Sequence, residues 1–230
     1  MSDYKMQAAK ASLKLIKAGQ TIGLGAGTTI SHLVDLISQD ALLAASLTFV
    51  SSSFKTRAYL AEKNLNVRVS SLTANLDSYF DGCDQFDREL NALKSGGGIH
   101  TNEKILASMA TEFILIGDEG KMVPVLNHKY PLVIEVLPEA LPAVLRKIKL
   151  TYPEAEVILR MSNQKDGAVI SDNGNLLADI HFSELPELKE LNVFIKMVPG
   201  VVEHSLFYRM AAMAVIAGEN GIRVITPVYP

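Results

Sequence analysis

The stretch TIGLGAGTTISHLVDLI, residues 21–37, changes its periodicity across a glycine turn. Residues 21–24 form a short apolar run, Gly25-Ala26-Gly27-Thr28-Thr29 is a flexible turn carrying two hydroxyls, and Ile30, Leu33, Leu36 and Ile37 recur at helical spacing. A strand therefore runs directly into a helix. Upstream, residues 3–17 hold Met6, Leu13 and Ile16 at helical spacing, with Gly19 as the breaker. Downstream, 47–50 reads as a second strand, Ser51-Ser52-Ser53 as a polar turn with an N-cap, 54–63 as a helix and 67–69 as a third strand. Residues 78–81 and 113–116 add two strands, separated by a glycine-rich loop and a helix over 103–111. This alternation predicts an α/β fold with a Rossmann-like open, mostly parallel sheet flanked by helices.

The rhythm changes after Lys121. Residues 132–136 read as a strand, 138–148 as a helix opened by Pro138, 156–160 as a strand, and 168–180 as a hairpin turning at Asp172-Asn173-Gly174-Asn175. A helix over 183–196 and a strand over 201–207 follow. The β-α-β-β-α order predicts a smaller α+β (ferredoxin-like) lobe inserted in the larger one: 1–127 with 208–230 for the large unit, 128–207 for the small. Two apolar stretches within 213–226 flank Gly218-Glu219-Asn220-Gly221, a hairpin turn that returns the chain to the large sheet.

Composition narrows the function. A formal charge of -3 over 230 residues, with 22 scattered Lys and Arg, offers no basic field and speaks against nucleic-acid binding. A single cysteine, Cys83, excludes an intramolecular disulfide framework and a Cys-rich zinc site. The N-terminus lacks a signal-peptide apolar core, and no apolar run reaches the roughly 18 residues of a membrane helix, so a soluble, cytoplasmic protein without membrane contact is expected.

Two constellations carry chemistry. The 25–29 turn places hydroxyls and flexible backbone at a helix N-terminus, where free N–H groups favour an anion; a tight βα turn with a threonine cap is the other reading. Neither the dinucleotide spacing nor a Walker loop is completed, Ile30 standing where a third glycine would fall. The second is DGCDQFDRELNALKSGGGIHTNEK, residues 81–104. Gly96, Gly97 and Gly98 imply a loop whose N–H groups approach something closely, surrounded by Asp81, Asp84, Lys94 and Glu103. The aspartates fall at a strand end and either act on a sugar hydroxyl or make Asx turns. Lys94 either stabilises an anion or is a solvated lysine. Glu103 falls in the first turn of a helix, where the dipole favours an ionised base or simply stabilises the helix. Cys83 reads as a small buried filler.

Taken together, these motifs resemble the type A ribose-5-phosphate isomerases. That family's phosphate loop, D-G-A-D-E motif, K-G-G-G motif and helix-opening glutamate align with residues 23–29, 81–85, 94–97 and Glu103. The similarity continues through Ser51-Ser52-Ser53 and residues 116–121, 131–136, 171–175 and 199–202, and so covers essentially the whole chain. The resemblance implies interconversion of D-ribose 5-phosphate and D-ribulose 5-phosphate through a cis-enediol, in the non-oxidative pentose phosphate pathway, with no metal or organic cofactor. Glu103 would carry the proton between C1 and C2, Asp81 and Asp84 would assist ring opening and hold hydroxyls, and Lys94 would stabilise the enediolate oxygen. Phosphate would rest on Gly25, Ala26, Gly27, Thr28 and Thr29 with Lys121 lining the site, and Gly82, Cys83, Ser95, Gly96 and Gly97 would complete the sugar pocket. Homodimers or homotetramers are implied, with 131–137 and 193–198 as apolar stretches for subunit contact or internal core.

The chain departs from the family at four places. Ala26 replaces a threonine, leaving backbone N–H groups to bind phosphate; Gln85 replaces a glutamate, Ser95 a glycine and Cys83 an alanine. None touches the four charged groups. A phosphosugar-sensing module would need a DNA-reading domain, for which one helix ahead of residue 21 leaves no room. A paralogue binding or isomerising another phosphosugar is favoured only by Ala26 and Ser95.

Overall fold

The computed structural model describes residues 3–228. Helix α1 (Tyr4–Leu13) leads to β1 (Thr21–Leu24), the glycine turn and α2 (Thr28–Gln39). Then come α3 (Ala41–Ser46), β2 (Thr48–Ser51), α4 (Phe54–Glu62), β3 (Leu76–Asp81), β4 (Gln85–Phe86), β5 (Ala92–Leu93), α5 (His100–Met109) and β6 (Ala110–Asp118). A second run holds β7 (Leu132–Val136), α6 (Leu141–Thr151), β8 (Glu156–Leu159), β9 (Leu176–His181), α7 (Leu188–Met197) and β10 (Val201–His204). The chain closes with β11 (Leu206–Phe207), β12 (Met213–Gly218) and β13 (Gly221–Ile225).

A six-stranded sheet takes the order β13-β12-β6-β3-β1-β2, parallel throughout except for the β12–β13 hairpin. Its faces are both covered, as a parallel sheet requires. The two-residue side-chain period shows in β6, where Ile114 and Ile116 join the core under α1 and α2, while Phe113 and Leu115 join the core under α5. From β1 the chain moves outward to β2 and then back to β3 on the other side. That reversal opens a crevice at the carboxyl ends of β1 and β3, the usual ligand position in such sheets.

The second sheet has order β10-β7-β9-β8 and is antiparallel throughout. Leu132, Ile134 and Val136 face Val144 and Ile148 of α6 and Leu191 and Ile195 of α7. The 131–137 stretch is therefore largely internal core, with Leu137 exposed at its end. Val133 and Glu135 project from the opposite face and are buried, Glu135 reaching Thr101 of α5. A three-stranded ribbon, β11-β5-β4, links the two. Among the described residues no helix is long and apolar enough to cross a membrane.

Several boundaries move for identifiable reasons. Helix α1 stops at Leu13 because Leu15 and Ile16 bond three residues back, tightening the chain and dropping Ile16 into the core. The strand expected over 67–69 shrinks to one bridge between Val67 and Phe49, cut short by a 3-10 turn at Ser70–Leu72. Pro138 opens a 3-10 turn before α6, and α7 starts only at Leu188, beyond Pro186. The strand over 201–207 breaks at Ser205 into β10 and β11, which serve different sheets. The arm of the hairpin at 168–170 makes only isolated bridges, so β9 pairs chiefly with β7 and β8.

Leu33 of α2 is fully buried against the sheet. Leu33→Ala is expected to cost about 2–5 kcal/mol through lost burial and a residual cavity. Chemical denaturation measures this, and a cost near zero would contradict the packing described.

Candidate active site

Asp81 is the last residue of β3, in the crevice beside the turn that follows β1. Its carboxylate is 1 % exposed and fully engaged. The Tyr79 hydroxyl donates to one oxygen at 2.6 Å, and the N–H groups of Gly82 and Ala26 donate to the other at 2.7 and 3.2 Å. The Lys94 ammonium lies 2.9 Å from it. Lys94 also lies 3.3 Å from Glu103 and donates to the Gly82 carbonyl. Lys94 follows β5, which places its side chain under the crevice, and its own N–H is held by the Ser205 carbonyl at 3.0 Å. It is a buried ion between two carboxylates, not a solvated lysine.

Asp81 imposes glycine at position 25. A Cβ on Gly25 would stand 1.9 Å from the Asp81 carboxyl carbon. Two residues on, Gly27 takes φ +101 and caps α2 without any side-chain bond. Gly25 donates to the Phe80 carbonyl and Ala26 to Asp81, so both amides expected at the phosphate are engaged within the protein, although Ala26 lines the cleft. The open donors of the turn start at Gly27, where the first amides of α2 meet no helical acceptor. Lys5 of α1 and Lys121 reach the same cleft, which measures about 240 Å³.

The glycine-rich loop approaches a carboxylate. Asp84 accepts from the N–H of Ser95 at 2.5 Å and of Gly96 at 3.2 Å, so it fixes the loop while lining the cleft with Gly96 and Gly97. Ser95 turns its hydroxyl to the Pro131 carbonyl at 2.6 Å and Gln85 bonds Asn127; neither lines the cleft. Cys83 is half-buried: it packs against the core as the filler reading expects and also lines the cleft, and burial pushes its thiol up to about 12, which leaves it a poor nucleophile. Gly82, Thr28 and Thr29 also line it.

Glu103 stands in the first turn of α5 and is 6 % exposed. Burial works against the helix dipole, which favours the ionised form. Burial pushes its carboxyl up to about 8, Asp81 adds to the shift, and Lys94 opposes without cancelling it. Burial works to lower the Lys94 ammonium, but Asp81 and Glu103 outweigh it and hold the charge in place. Burial, then Asp81 and Glu103, drive the Tyr79 phenol well above its ordinary range, so it serves Asp81 as a donor. The arrangement can hold an anion at the α2 terminus, polarise an oxygen with Lys94, and exchange a proton through Glu103.

Sequence reading brought together every charged residue of this cleft except Lys5 and Asp118, and missed Tyr79 as the partner of Asp81. Lys5 is one of several helical lysines, and Asp118, the last residue of β6, lies in the 116–121 stretch shared with the family but carries no assigned role there; only the packing of α1 and β6 shows that both reach the cleft. Among the described residues, no three His, Cys, Asp or Glu side chains gather as metal ligands.

The family model described as Ribose 5-phosphate isomerase A (phosphoriboisomerase A) matches residues 48–221. The ribose-5-phosphate isomerase A of Rhodopseudomonas palustris (strain HaA2) is 36 % identical over 97 % of both chains, and that of Pyrococcus abyssi is 32 % identical over 98 % of both. Among solved structures, ribose 5-phosphate isomerase A from Methanocaldococcus jannaschii superposes with a TM-score of 0.87 at 31 % identity, covering 96 % of this chain and 97 % of that one. A D-ribose-5-phosphate isomerase in complex with phospho-erythronic acid superposes with a TM-score of 0.89 at 30 % identity and the same coverage.

Gly25→Ala should force Asp81 away from Lys94. The expected cost is about 1–3 kcal/mol of overpacking, which at this chain length lowers the melting temperature by roughly 2–4 °C per kcal/mol. Thermal denaturation checks it, and a variant melting with the parent would mean that Asp81 is not held as described.

Proposed function

This chain belongs to the ribose 5-phosphate isomerase A family, and from that premise we propose that it interconverts D-ribose 5-phosphate and D-ribulose 5-phosphate through a cis-enediol. The observation that carries the reading is the buried Lys94 between Asp81 and Glu103, at the foot of a cleft whose other end is an uncapped helix N-terminus. An aldose–ketose shift needs one base within reach of two adjacent carbons, a cation on the oxygen that gains charge, and a remote anion clamp. Glu103 takes the proton from C2 and returns it to C1. Lys94 stabilises the enediolate oxygen. Asp81, tied to Lys94 and Tyr79, assists ring opening, and Asp84 holds sugar hydroxyls beside Gly82, Cys83, Gly96 and Gly97. The phosphate rests on the amides from Gly27 to Thr29, with Lys121 and Lys5 balancing its charge.

A carboxyl titrating near 8 suits this task. It is basic enough to abstract a carbon-bound proton and acidic enough to give it back near neutral pH. We further propose the division into a large unit, 1–127 with 208–230, and a ferredoxin-like unit, 128–207. The confinement of the four-stranded sheet to 132–204 supports it. Assembly as a homodimer or homotetramer in the cytoplasm belongs to the same proposal. The exposed Val193 and Met197 on α7 offer apolar surface for it. The pentose phosphate pathway is the metabolic setting the family membership suggests.

Purified protein should convert ribose 5-phosphate to ribulose 5-phosphate in the presence of a chelator, and Glu103→Gln should lower kcat by roughly 100- to 10,000-fold, the range of a general base. Phosphosugar binding without turnover in the parent protein would instead favour a binding paralogue. Since the base must be ionised, kcat/KM should rise with pH, about tenfold per unit below the Glu103 value and levelling above about 8. A profile already flat from pH 6 upward would be incompatible with Glu103 as a base titrating there.

A further inference from the structure

Glu135 of β7 is 1 % exposed, reaches Thr101 of α5, and among the described residues accepts from uncharged donors. Ser171 donates to it at 2.7 Å, Asn175 at 2.7 Å and Asn173 at 3.1 Å, while Thr101 of α5 donates to its other oxygen. Burial works to raise this carboxyl, yet the hydroxyl and amide donors outweigh it and keep it below its ordinary range. An ionised group in that position is held by geometry that must be complete, because each missing donor would leave a buried charge less compensated.

The three donors on the turn are themselves preset. Ser171 accepts the N–H groups of Asn173 and Asn175 on its hydroxyl, and Gly174 at φ +82 closes the turn. The carboxylate is thus a rigid post on the small sheet. Among the described residues its bond to the large unit goes to Thr101, two residues before Glu103 on the same first helical turn.

We infer that Glu135 is a positioning residue for the isomerisation: through Thr101 it fixes the first turn of α5 and thereby the distance between Glu103 and Lys94. Glu135 touches no part of the cleft that holds the substrate. The inference rests on Glu103 being the base. The phosphate clamp sits on α2 and is built from other elements, so loss of the post should misplace the base without loosening the phosphosugar.

The test compares kcat and KM for ribose 5-phosphate in Thr101→Val, Thr101→Ser, Glu135→Gln and Glu103→Gln, each normalised to folded protein by circular dichroism. Thr101→Val keeps the shape and deletes the hydroxyl, and is expected to lower kcat by about 10- to 100-fold with KM within about twofold, as for a base displaced by about 1 Å. Thr101→Ser keeps the hydroxyl and should recover most of the loss. Glu135→Gln should resemble Thr101→Val. The inference is overturned if Thr101→Val keeps the parental kcat, if its defect lies in KM, or if Thr101→Ser is equally impaired. Should Glu135→Gln not fold, the threonine pair alone decides. Turnover surviving in Glu103→Gln would sink the assignment of the base, and is distinguishable from an inactive Glu103→Gln beside an unimpaired Thr101→Val.

Discussion

A lysine ammonium buried between two carboxylates is the constraint around which this protein is arranged. Lys94, Asp81 and Glu103 are each more than nine-tenths buried. Taking such charges out of water is costly unless every oxygen and proton finds a partner. The surrounding chain supplies those partners: the Tyr79 hydroxyl, the amides of Ala26 and Gly82, and the Gly82 carbonyl. Asp81 needs the room left by Gly25, and so the turn after β1 and the end of β3 are shaped by one contact.

The same cluster tunes the Glu103 carboxyl and the Tyr79 phenol within it. Burial pushes the Glu103 carboxyl up, and Lys94, 3.3 Å away, opposes the shift without cancelling it. Tyr79, driven toward its neutral form by the same environment, remains a donor to Asp81. Lys94 thus holds a fixed positive charge at the cleft, in place before any ligand enters.

The two sheets meet around the segment that carries this chemistry. Arg160 at the end of β8 donates to the Ser95 carbonyl at 2.9 Å, Ser205 holds the Lys94 amide, and Lys104 of α5 bonds the carbonyls of His204 and Leu206. Residues from 94 to 104 are thus gripped from the small sheet, from the linking ribbon and from their own helix. The glycine loop is held rather than free, which suits a site that must keep a base and a cation in register.

The sequence by itself determined the alternation of strands and helices, the glycine turn at the α2 terminus and the identity of Asp81, Asp84, Lys94 and Glu103, because periodicity, glycine runs and charged clusters are local signals. The end of α1, the loss of a strand at 67–69 and the split at Ser205 were not legible, since each depends on what the segment packs against. Only the tertiary structure decided that Ala26 spends its amide on Asp81, that Lys5 and Asp118 reach the cleft, and that burial sets the Glu103 carboxyl against its helix dipole. Those properties belong to distances between residues far apart in the chain and to the exclusion of water between them, and neither is written in the order of amino acids one at a time.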